Sequence, residues 1–304
     1  MAVGDLITAA RFNEMQAKVA LVLGNGSGRF GYGQNLSSSA VSIGNTVNAT
    51  HMQNLKLDCI NAYVHQTGIN PVLTDVARDE DITEAVFAQY ENIVNTIYSN
   101  KDNIDISSQA DIEAKKSSTR TGQWGGANQS QSLFFRLTVT FDSFDARRHF
   151  FNAGGEIRIN AGISSGSGAK FTDWKGMLDA MGTVRISAGT TTADSGSGLG
   201  IGNFGLTTNN QALWIKSGSG IYAANDVTVR AKLNAIDGNQ IILEIEFNDG
   251  ATGSGAGGFG GVDDPVNGVL VATVTQVRAT YAIPRNNLYV QTPSPVYNVT
   301  KELE

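Results

Sequence analysis

The sequence is short of several things, and each shortage removes a class of protein. It has one cysteine, Cys59, in 304 residues. That excludes an intrachain disulfide, leaves no second thiol for a zinc site, and leads us to expect a reducing compartment. Charged residues make up only 16% and lean acidic, 28 against 22, for a net charge of −6. No stretch gathers enough Lys and Arg to neutralise a row of phosphates, AKKSSTR (114–120) coming nearest, so direct nucleic-acid binding is not expected. No run of about 18 apolar residues occurs, so no membrane-spanning segment is expected. The first residues, MAVGDLITAARFNEMQ, lack the basic start and apolar run of a secretory leader, and Asp5 and Glu14 spoil a transit peptide; synthesis in a cytosol is expected.

Glycine is plentiful, at 35 copies, beside 41% hydrophobic residues. This balance fits turn-rich β structure with polar loops, and it supplies enough apolar surface for a core in each of two domains.

The front of the chain repeats itself. ITAARFNEMQAKVALV (7–22), VNATHMQNLKLDCINA (47–62) and ITEAVFAQYENIVNTI (82–97) align so that Phe12, Met15, Val19 and Val22 match Met52, Leu55, Cys59 and Ala62, then Phe87, Tyr90, Val94 and Ile97. The three, four, three spacing puts each set on one stripe of an α-helix. Thr8, Asn48 and Thr83 are suited to cap these helices, and the preceding Ile7, Val47 and Ile82 to close onto Phe12, Met52 and Phe87 as hydrophobic staples. Residues 1–105 are read as a small helical attachment domain. Between its first two helices GNGSGRFGYGQ (24–34) carries Gly24, Gly26 and Gly28. A phosphate-binding loop needs a strand before and a helix after, and here a helix precedes and a polar loop follows, so a helix end with a glycine turn is predicted. Arg29, Phe30 and Tyr32 on that loop suit contact with a neighbouring protein.

Residues 106–132 lose the helical period and read as a linker in which Trp124 docks locally. From 133 the period becomes two. Strands are predicted at 133–141, 156–163, 182–188, 212–216, 226–235, 240–247 and 268–282, with Asp237-Gly238 turning 226–247 into a hairpin. In RRHFFNAGGEIRI (147–159) a short helix carries Phe150 and Phe151 towards a sheet, Gly154 and Gly155 stop it, and a strand leaves. TDWKGMLDAMGTVRISAGT (172–190) is a weaker copy that sets Arg158 over Arg185. The fold class expected is α+β: a three-helix domain, then a β-sandwich-like domain over 133–304 with two short covering helices and an extended C-terminal arm.

Candidate chemistry is sparse. His149 follows Asp145 by four residues, but His51, His65 and His149 have no further ligands at metal spacing, and His149 is expected at a surface or interface. Glu244 and Glu246 share a strand face and are the nearest approach to a glycosidase acid pair, with a solvated face preferred. Asp263 and Asp264 precede Pro265 in a turn without a full calcium loop. The serines at 166–168 and 195–200 lie in polar loops rather than a nucleophile elbow. Loops 164–169, 190–205 and 250–261 present Phe204 and Phe259 as anchors for a neighbour. Trp174, Trp214 and Tyr222 are candidates for stacking sugars or for a core. No catalytic, cofactor-binding or metal-ligating residue is assigned.

The strings RRHFFNAGGEIRI, the Trp-bearing helix and MGTVRI resemble a segment of virion structural proteins of tailed bacteriophages. VGDLITAARFNEMQ and GSGRFGYGQ look like the starts of tail-associated proteins in phages of cyanobacteria. The resemblance touches about half the chain and brings no catalytic motif. It implies a non-enzymatic virion component of the tail, baseplate, neck or fibre attachment, assembled in the host cytoplasm. Its implied partners are other virion proteins and further copies of itself in a symmetric homo-oligomer. The alternative is a tail-fibre-like module that binds a host surface glycan.

Overall fold

The computed structural model describes residues 8–78, 80–105, 109–127, 131–251, 263–279, 290 and 292–304. The described residues form an α+β fold with five helices and two antiparallel sheets. They divide into two compact units, and the division is not sequential. The first takes Met1–Ala110 together with Arg148–Gly155 and Arg278–Pro293; the second takes Asp111–Arg147, Glu156–Val277 and Ser294–Glu304.

The first unit is built on α1 (Ala9–Leu23), α2 (Ala49–Thr67) and α3 (Glu84–Ser99). Each starts where the sequence says it should: Thr8, Asn48 and Thr83 accept the backbone N–H of Arg11, His51 and Val86. All twelve stripe residues lie in one core cluster, which Val47 and Ile82 also join. Ile7 lies outside the described residues. Each fully buried large side chain contributes about 1.5–3 kcal/mol, so packing rather than propensity holds these helices. Arg11 ties α1 to α3 through Glu84 and Glu91, at 2.9 and 3.1 Å.

In the second unit β2 (Ser132–Thr140), β9 (Gln240–Asn248) and β8 (Asp226–Leu233) pair so that their apolar sets fall into rows: Phe135–Ile245–Val229, Leu137–Leu243–Ala231 and Val139–Ile241–Leu233. All nine of these residues are buried. With β7 (Gln211–Ser217), β6 (Ser197–Gly198) and β11 (Val296–Lys301) these strands form a six-stranded sheet in the order β11-β2-β9-β8-β7-β6. The second sheet runs β1-β10-β3-β4-β5, from β1 (Gln109–Arg120), β10 (Val269–Ala279), β3 (Glu156–Ser164), β4 (Thr183–Ile186) and β5 (Thr191–Thr192). Two helices, α4 (Phe144–Asn152) and α5 (Ala169–Met181), precede β3 and β4 as the repeated unit predicts. Gly154 and Gly182, at φ +77° and +60°, end them.

One expectation is corrected. The stretch 106–132, read as a linker, carries the twelve-residue strand β1, and Trp124 is buried and bridges Val266 in the second unit. The extended C-terminal arm is built into a sheet: β11 pairs antiparallel with β2, and the Leu303 N–H donates to Ser118 Oγ at 2.9 Å. The predicted strand at 268–282 ends at Ala279, and residues 280–282 lie outside the described residues.

Candidate functional site

The glycine loop after α1 is a binding site for its own chain. Gly26, Gly28, Gly31 and Gly33 all have positive φ, a conformation open to glycine at little cost. This backbone turns carbonyls, not N–H groups, towards Arg148, His149 and Asn152. Arg148 Nη1 donates to the Phe30 carbonyl and Nη2 to that of Asn25 at 2.7 Å. His149 Nε2 donates to Asn25 O at 2.9 Å, and Asn152 Nδ2 to Gly28 O and Phe30 O at 3.2 and 3.0 Å. A Cβ at Gly33 would overlap the His149 ring. A ring of carbonyls repels phosphate, so the loop's polarity opposes that of a phosphate cradle. His149, expected at a surface or an interface, is buried within its own chain, so the surface alternative does not hold. Tyr32 is buried too, and its hydroxyl donates to Lys101 O at 2.7 Å. Phe30 is half-buried and stacks on Tyr98 at 5.4 Å, while Arg29 reaches Asp102 at 3.5 Å.

The other candidate groups are also engaged. Glu244 stands between Arg136 and Arg230 on the flanking strands and pairs with Arg136. Glu246 pairs with Arg230 at 3.4 Å. Their strand face is a charge ladder with each acid beside a base. Asp263 and Asp249 close on the ammonium of Lys170 at 2.8 and 2.6 Å, and the Asp264 carbonyl accepts from it at 2.8 Å. Lysine thus supplies the cation beside Asp263 and Asp264, and Lys170 and Asp249 are both buried. Burial outweighs the lysine and raises the Asp249 pKa above the usual carboxylate range. His51 closes a capping box on Asn48, and burial pushes the Cys59 thiol up. Among the described residues no group of three His, Cys, Asp or Glu could hold a metal.

Trp174, Trp214 and Tyr222 are buried at 0, 1 and 6% exposure, which withdraws the two indoles from sugar stacking. Phe204 is half-buried in a loop tied back to Ser187 and Ala188. Phe259 lies outside the described residues.

What the sequence did not disclose is a groove of about 660 Å³ between α5 and the loop 216–222. Thr172, Asp173, Gly176 and Met177 wall it on one side, Lys216 and Ile221 on the other. Asp173 Oδ1 holds the loop by accepting from the N–H and Oγ of Ser219, at 3.3 and 3.0 Å. Its Oδ2 is buried without a partner, beneath Gly218. Lys216 donates to Ser195 Oγ at 2.8 Å. Gly176 is the anomaly. A helix-interior glycine is about 1 kcal/mol less favourable than alanine, and a Cβ here would meet nothing within 4 Å. Packing among the described residues does not require this glycine, which lines the groove. In sequence it looks like a mere fault in helix propensity, and KSGSGIY (216–222) like turn chemistry.

Asp173 and Lys216 thus each bond a serine at the groove, Ser219 and Ser195. No family model, no curated protein and no solved structure matches the chain.

Proposed function

We propose that the chain is a non-enzymatic structural component of a bacteriophage virion, in the tail or its baseplate, neck or fibre attachment, acting through subunit packing. One observation carries the reading. The strings that resemble virion proteins, GSGRFGYGQ and RRHFFNAGG, are more than 100 residues apart, yet they are two halves of a single device in which Arg148 and Asn152 grip the carbonyls of Gly28 and Phe30, and His149 with Arg148 grips that of the adjoining Asn25. Strings that meet in this way constrain each other, so the resemblance concerns one structural unit rather than two scattered matches. The engagement of Glu244, Glu246, Asp263 and His149 in ion pairs and hydrogen bonds supports the same reading, because each is committed to holding the fold. The glycan-binding alternative draws less support, since its stacking candidates are buried.

The test is peptide mass spectrometry of purified phage particles. The chain is expected at a fixed ratio to the other structural proteins, and its absence from intact particles would end the proposal.

A further inference from the structure

We infer that copies of this chain join end to end, the tip of the β8–β9 hairpin of one copy seating in the α5 groove of the next. The tip projects Ile236, which is 82% exposed, so a partner that covers it gains the burial of a whole isoleucine side chain. Asp237 beside it is held at φ +54°. The groove offers the complement: an apolar recess at Gly176, Met177 and Ile221, with Ile221 itself 63% exposed, and the ammonium of Lys216 on its wall. Among the described residues Lys216 donates to Ser195, and an ammonium has three donors, so it can bind a carboxylate without giving that bond up. Isoleucine in the recess buries apolar surface on both sides, and Asp237 is opposite in charge to Lys216, although Asp173 shares the wall and Asp237 also acts on Arg147 of its own chain.

Knob and groove cannot meet within one molecule. β8 pairs with β7 near the groove through Ser217↔Asp226, and with β9 near the hairpin tip through Leu233↔Ile241. The two features therefore sit at opposite ends of the six-stranded sheet, roughly 25 Å apart along an eight-residue strand. A contact joining opposite ends is head-to-tail, and it builds a ring or a filament according to the rotation between copies. The inference extends the packing role proposed above but does not depend on finding the chain in particles, so the two can fail separately.

Sedimentation velocity of the full chain tests it with two variants, Ile236→Ser and Gly176→Gln. The first blunts an exposed tip. The second improves helix propensity while filling open space, so both should fold, which circular dichroism checks. Wild type should form concentration-dependent oligomers. Each variant alone should associate weaker by about tenfold or more, as for loss of a buried anchor. Their equimolar mixture should yield dimers and nothing larger, because one variant keeps the groove and the other the knob. Asp237→Asn, which tolerates the left-handed backbone, should weaken wild-type assembly and remove its salt dependence. A wild type that stays monomeric overturns the inference, as do variants that assemble like wild type or a mixture that stays monomeric. Binding of a free sugar at the groove by a monomeric wild type would assign the groove to the glycan reading and overturn it as well.

Discussion

Arg158 and Arg185 stand directly opposite each other on the antiparallel strands β3 and β4. Like charges so placed repel, and each arginine carries its own acid: Glu156 at 2.8 Å from Arg158, and Asp194 at 3.1 Å from Arg185. The two acids neutralise a clash built into the repeat. Asp194→Asn should therefore destabilise the second unit by about 0.5–1 kcal/mol at low salt and less at high salt, and adding Arg185→Thr should recover the loss. Urea titrations at two ionic strengths measure both; an effect equal at the two would refute the electrostatic account.

Acid should loosen the first unit through His65. Burial holds the His65 imidazole down at about 4, against 6.5 for the free side chain. The unfolded chain therefore takes up a proton as pH falls through 6.5, while the folded one stays neutral until about 4. Stability is lost across that window, on the order of 3 kcal/mol in full. Asp249 acts with the opposite sign. Its pKa is raised by burial, so its contribution is lost as pH rises. Comparing wild type with His65→Phe cancels that background, and the variant should lack the downward slope between pH 6.5 and 4 in denaturant titrations.

Among the described residues Lys170 is the cation paired with the buried Asp249 and the partly buried Asp263. Lys170→Met should cost about 3–5 kcal/mol because it leaves Asp249 and Asp263 uncompensated, whereas Lys170→Met with Asp249→Asn and Asp263→Asn should regain much of it. Thermal unfolding of the single and triple variants checks the order of their midpoints.

Arginine is required at 148 because its planar fork reaches several carbonyls at once. Arg148→Lys keeps the charge and loses the fork, so the part-buried carbonyls of Asn25 and Phe30 each lose one donor while keeping His149 and Asn152, at about 0.5–1.5 kcal/mol per lost bond. Amide hydrogen exchange should speed up first around Tyr32 and Gly33, whose N–H groups donate to Val22 and Gly24.

Cys59 should ignore thiol reagents in the native protein. It is fully buried among the three helices, and burial with Asp58 beside it disfavours the thiolate. Labelling should proceed only as fast as the first unit opens, and it should accelerate in Arg148→Lys.

Much of this architecture is legible because it rests on local periods. The stripe residues from Phe12 to Ile97, the caps Thr8, Asn48 and Thr83, and the seven predicted strands follow from spacing that any helix or half-buried strand imposes. β1 was hidden because QADIEAKKSSTR is charged and polar, as befits a strand at a sheet edge. β11 was hidden behind Pro293 and Pro295. The groove was illegible for a different reason: Asp173 and Lys216 acquire meaning only when α5 meets the loop after β7, and nothing periodic announces such a meeting. Tyr32 was misplaced, and the surface alternative for His149 fails, because a buried polar side chain looks like a surface one until its distant carbonyl partner is known.

The discontinuity of the first unit bears on its birth at the ribosome. Three helices emerge early, but the residues that clasp the loop between the first two, Arg148 to Asn152, are translated only after β1 and β2. The nascent front end must wait with its carbonyls open to water until that clasp arrives. A fragment ending near residue 105 would stay in that unfinished condition for good.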